Sequence, residues 1–99
     1  MTKRIYKLTS KVIVYPGMAA WRFLILPKNE GKEIKETFGK NAVGWGSIRV
    51  TATIGKTAWK TSIFPDKKSG TYLLPLKAKI RKAEDIYDDS NVLFILKIH

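Results

Sequence analysis

The sequence predicts an all-β fold: a small closed or nearly closed β-barrel of about six to seven strands, with two short helices, as a single domain over residues 1–99. Three observations point there. Several segments alternate apolar and polar residues with a period of two, the mark of a half-buried strand. One pair of them is joined by Gly55-Lys56, a two-residue turn with glycine first that suits a type II′ hairpin. Strand edges must be paired or covered, and a small chain of many strands does this by closing on itself.

The elements follow in order. Tyr6, Leu8, Val12 and Val14 share one face of a first strand, with Ser10 among them; Lys7, Thr9 and Lys11 lie on the other. Pro16-Gly17 ends it with a turn. A second strand, Ala20 to Leu26, is apolar apart from Arg22 and stops at Pro27. Residues 30–38 place Ile34 and Phe38 four apart on a short helix, with Asn29 as N-cap and Gly39 as the stop. A third strand alternates Ile48, Val50, Ala52 and Ile54 with Ser47, Arg49, Thr51 and Thr53. The Gly55-Lys56 turn then sets its register with the strand Thr57 to Phe64. Ile54 faces Thr57, Ala52 Trp59, Val50 Thr61 and Ile48 Ile63. Thr53 faces Ala58, Thr51 Lys60, Arg49 Ser62 and Ser47 Phe64.

After the turn cluster 65–70, a strand Thr71 to Leu74 is stopped by Pro75. Residues 77–85 form a second short amphipathic helix. The last strand, Val92 to Ile98, is so rich in Leu, Ile, Val and Phe that both its faces read as buried. An OB-fold fits less well, because the helices fall after the second strand and before the last.

The motifs Gly44-Trp45-Gly46, Ile54-Gly55, Thr61-Ser62-Ile63-Phe64-Pro65 and Leu74-Pro75-Leu76-Lys77-Ala78-Lys79-Ile80-Arg81-Lys82-Ala83 occur in this order. Together they resemble the bacterial and archaeal family called domain of unknown function 1905, over roughly residues 5–98. The resemblance implies a small β-barrel, sometimes fused to a bacteriocin-protection segment called YdeI/OmpD-associated, with no established activity. Family members often carry Gly-Asp before the last strand, where this chain has Asp89-Ser90. A more distant likeness, in layout only, is to swapped-hairpin barrels of the transition-state-regulator type, which bind DNA as dimers.

Composition narrows the chemistry. With no cysteine there is no disulfide, thiol nucleophile or thiolate metal site. The lone histidine, His99, is the last residue, so Ser62 has no base placed for it and no histidine pair exists for zinc. Glu84, Asp85, Asp88 and Asp89 lack the spacing of a calcium loop and read as a solvated turn. No metal, cofactor or catalytic residue is expected, and the chain reads as non-enzymatic. No apolar run approaches the ~18 residues of a membrane span. The basic start, Met1 to Arg4, is not followed by the apolar stretch of a signal peptide, so a soluble cytoplasmic protein is expected.

The net charge is +11, and fifteen of the nineteen bases are lysine. Lysine excess reads first as a solubilising surface, since arginine is favoured for bidentate phosphate or guanine contacts. The sharpest site candidate is Lys77, Lys79, Arg81 and Lys82 at the second helix, with the acids at its far end. That order reverses the usual match to the helix dipole and suggests an anion site. The competing reading is a solvated face paired with the acidic run. A secondary surface candidate is Arg49, Lys60 and Ser62 with Thr51, where an exposed aromatic nearby would stack a base. Trp59 faces the core, and Trp45 reads as core rather than platform. The functional expectation is a non-catalytic β-barrel binding module with an unidentified partner. The alternative is charge-driven binding of nucleic acid, such as DNA, or another polyanion through segment 77–82. Monomer and dimer both stay open.

Overall fold

A computed structural model describes residues 3–15 and 21–99. Strands β1 (Ile5–Val14), β2 (Arg22–Ile25), β3 (Ile48–Ile54), β4 (Thr57–Asp66), β5 (Thr71–Pro75) and β6 (Asn91–Ile98) close a barrel in the order β1-β2-β5-β4-β3-β6. Every neighbouring pair is antiparallel, β6 with β1 included. Helix α1 (Lys28–Phe38) follows β2, and the six-residue α2 (Ala78–Ala83) lies between β5 and β6. The expected Pro16-Gly17 turn and Ala20 lie outside the described residues.

The β3–β4 hairpin has the expected register from Ile54↔Thr57 to Ile48↔Ile63. Gly55 takes φ +57 and Lys56 keeps a negative φ, as a type II′ turn requires. The ladder ends there: Ser47 bridges Val43 rather than facing Phe64. The 3₁₀ turn Gly44–Gly46 pulls the chain aside just before β3.

The inward positions fill the core. Tyr6, Leu8 and Val12 of β1 meet Val50 and Ala52 of β3, Ile63 of β4, Leu74 of β5, and Phe94, Leu96 and Ile98 of β6. Each such large apolar side chain contributes about 1.5–3 kcal/mol by leaving water. Two strand expectations change. Val14 is 39% exposed, because β1 runs past the core at its end. Strand β6 is not buried on both faces: Val92, Phe94, Leu96 and Ile98 point in, while Leu93 is 58% exposed. A closed barrel has one interior, so the outer residues of β6 face solvent however apolar they are.

The helices start and stop differently from their expected caps. Asn29 is inside α1; Pro27, at φ −56, presents its carbonyl to Gly31 N–H at 2.9 Å and begins the helix without a side-chain cap. Gly39 stays right-handed and leads into a 3₁₀ turn (Gly39–Asn41) rather than stopping the chain. Ile34 and Phe38 are buried as expected. Helix α2 ends in a Schellman motif: Asp85 takes φ +51, and Ile86 N–H donates to Arg81 C=O at 2.8 Å. An aspartate thus fills the left-handed position usually given to glycine.

Candidate anion-binding face

The alternation that fills the barrel also sorts its outside. On β1 the outward residues are Ile5, Lys7, Thr9 and Lys11; on β6, Leu93, Ile95 and Lys97; on β3, Arg49, Thr51 and Thr53; on β4, Ala58, Lys60, Ser62 and Phe64. Register aligns them into rows. Ile5, Lys97, Thr51 and Lys60 lie side by side across four strands, and Lys7, Ile95, Thr53 and Ala58 form the next row. Adjacent strands are about 4.8 Å apart, so the backbones at Lys97 and Lys60 are separated by about 10 Å. The one acid in these four strands is Asp66, the last residue of β4. Lys7, Lys11, Arg49, Lys60 and Lys97 are all exposed.

At one side of this face lies an open groove of about 570 Å³. Arg49, Lys60, Ser62, Phe64, Lys77 and His99 line it, with parts of Val50 and Thr61. Barrel closure brings His99 here. Its N–H donates to Arg49 C=O at 3.1 Å, and its Nε2 lies 2.5 Å from Thr51 Oγ1. Lys77 arrives from the β5–α2 junction, where its carbonyl accepts from Ile80 and Arg81 N–H at 3.0 and 3.1 Å.

The two candidate groups from the sequence are therefore recombined. Lys77 joins Arg49, Lys60 and Ser62 in one groove. Arg81 instead donates from Nε to Leu76 C=O at 3.2 Å, bracing the start of α2. With Lys82, Asp85 and Tyr87 it lines a separate shallow depression. Lys79 is exposed and lines neither site. Two of the four acids in 84–89 have partners away from the basic segment: Glu84 accepts from Thr57 Oγ1 at 2.6 Å, and Asp88 pairs with Arg22 at 3.0 Å. Among the described residues, no three His, Asp or Glu side chains gather as a metal site would need.

Trp45 is not a core residue. It is 93% exposed at φ +65, the apex of a loop closed by Gly46 N–H to Val43 C=O and by Val43 N–H to Ser47 C=O, both 2.9 Å. The barrel interior is already filled by Tyr6, Phe94 and the aliphatic residues. Trp59 packs partly buried against the core opposite Ala52, as its register requires. Trp21 stacks on Phe23 with ring centroids 6.0 Å apart and planes 13° from parallel, and is 50% exposed. It lines a mostly apolar cleft of about 350 Å³ with Pro75, Leu76, Lys77 and Ala78. Sequence reasoning missed His99 and Phe64 as groove residues and Lys7, Lys11 and Lys97 as members of the face. The available signal was strand parity: each of these lysines sits at an outward position.

Residues 9–95 match the family described as Domain of unknown function (DUF1905). The chain belongs to that family. The DUF1905 match takes in Arg49, Lys60, Ser62 and Lys77, and ends before Lys97 and His99. No curated protein matches the chain. At the site where DUF1905 relatives were expected to carry glycine, Asp89 adopts φ +64. The turn into β6 is left-handed without glycine, at a backbone cost of about 1–2 kcal/mol, and Asp89 N–H donates to Val12 C=O at 3.1 Å. No helix among the described residues is long and apolar enough to cross a membrane.

Proposed function

We propose that this DUF1905 domain is a non-catalytic binding module that holds a polyanion on the outer face of β1, β6, β3 and β4. The observation that carries this reading is the sorting of charge. Arg49, Lys60 and Lys97, with Lys7 and Lys11, share a face whose strands hold no acid before Asp66. A merely solubilising surface intersperses both signs. Here Glu30, Glu33 and Glu36 are confined to α1, and four more acids to residues 84–89. Thr9, Thr51, Thr53 and Ser62 add hydroxyls among the bases, which suits phosphate or sulfate oxygens. Ser62 and His99 share the groove, yet the imidazole is engaged by Thr51, which favours binding over nucleophilic chemistry.

Fluorescence anisotropy with labelled oligonucleotides across a salt series tests this. Binding at low salt is expected, with log affinity falling linearly against log salt as counterions are released. The Arg49→Glu/Lys60→Glu variant is expected to bind at least about tenfold more weakly, two reversed charges each removing a phosphate contact. Lys28→Glu/Lys40→Glu, with the same change in net charge elsewhere on the surface, is expected to retain most of the binding. Absence of low-salt binding, a flat salt dependence, or equal losses in both variants would overturn the proposal.

A further inference from the structure

Resting on that reading, we infer that the polyanion is a single-stranded nucleic acid, with phosphates in the Arg49–Lys60 groove and a base stacked in the Trp21 cleft. The groove and the cleft share Lys77. On one side of it stand Arg49, Lys60 and Ser62; on the other, Trp21, Pro75, Leu76 and Ala78. The ligand that fits must therefore carry negative charge and a flat apolar group side by side. A sulfated sugar or a polyphosphate carries the charge without the flat group. A duplex keeps its bases paired and stacked within. A single strand offers an open base next to each phosphate, and charged grooves with aromatic platforms are how such strands are held.

Trp21 is prepared for this role. Its ring is half exposed, yet its plane is set by Phe23, which is buried and is itself held edge-on by Tyr15 at 5.5 Å. A ring already fixed in place loses little freedom when a base settles on it. The cleft volume of about 350 Å³ lies within the range of small-ligand sites, roughly 300–1,000 Å³.

The test compares four probes at one low salt concentration: a thymidine oligomer of about 15 nucleotides, an abasic strand with the same phosphates, a duplex of the same length, and heparin. The thymidine oligomer is expected to bind the wild-type domain several-fold more tightly than the abasic strand. Trp21→Ala should weaken the thymidine oligomer by roughly 5- to 150-fold, the value of one lost stack. It should leave the abasic strand and heparin unchanged, and Trp21→Phe should recover most of the loss. If the oligomer and the abasic strand bind alike and Trp21→Ala changes neither, base stacking is refuted while polyanion binding stands. If Trp21→Ala weakens all probes equally, the cleft has no base-specific role and the inference fails. If none of the four binds, polyanion binding falls too.

Discussion

Thr57 Oγ1 donates a 2.6 Å hydrogen bond to Glu84 Oε2, tying the β3–β4 hairpin to the segment after α2. The same carboxylate closes over the turn. A methyl group on Gly55 would lie 2.0 Å from Glu84 Oε1. Gly55 thus answers two demands at once, the positive φ of the turn and room for the carboxylate.

Gly55→Ala is expected to destabilise the fold by about 2–3 kcal/mol. Backbone strain accounts for about 1–2 of this, and the displaced Thr57–Glu84 bond for about 1. Placing Gly55→Ala in a Glu84→Ala background should leave only the backbone part, measurable as a coupling in a denaturant-unfolding cycle. Simple additivity of the two substitutions would show that the steric contact is unimportant.

Gly31 presents the opposite balance to an ordinary helical glycine. Alanine gains about 1 kcal/mol of helix propensity over glycine. Here, however, a Cβ would lie 1.7 Å from Thr71 Oγ1 and 2.8 Å from Thr71 Cβ, where α1 meets β5. Overpacking of this kind costs about 1–3 kcal/mol and at 1.7 Å should fall in the upper part of that range. Gly31→Ala should therefore lower the unfolding free energy by about 1–2 kcal/mol. A higher melting temperature than wild type would show that α1 is free to shift.

Tyr6 makes stability fall at alkaline pH. Burial pushes its phenol up to about 12, aided by the nearby Glu33 carboxylate, to which its hydroxyl donates at 3.2 Å. The folded state holds this proton more tightly than the unfolded chain, whose tyrosine titrates near 10. Its contribution is complete below about pH 10 and is lost as pH rises toward 12, about 3 kcal/mol at most. Tyr6→Phe should show a shallower decline over that window. Parallel curves for the two proteins in guanidinium unfolding from pH 9 to 12 would remove Tyr6 from the account.

The β3–β4 hairpin could be read residue by residue because its information is local. A glycine-first turn fixes the pairing, and alternation tells the inner face from the outer. Trp45 shows where local reading ends. Its size suggested the core, but whether a tryptophan is buried depends on the space other segments leave. Here that space was taken, and the 3₁₀ loop turned the ring to solvent at φ +65.

What the sequence determined by itself was the barrel class, the register of the β3–β4 hairpin and the outward parity of Lys7, Lys11, Arg49 and Lys60. All of these follow from periods of two and from single residues with special backbone freedom. The tertiary structure alone decided the site. Segment 77–82 reads as one basic run, yet its members part company: Lys77, in extended backbone just before α2, lines the groove, while Arg81 inside α2 reaches back to Leu76. Arg49, Lys77 and His99 come from three distant segments and meet only because β3 pairs with both β4 and β6 to close the barrel. Closure is a long-range property of six strands together, and no spacing along the chain encodes which outward side chains become neighbours.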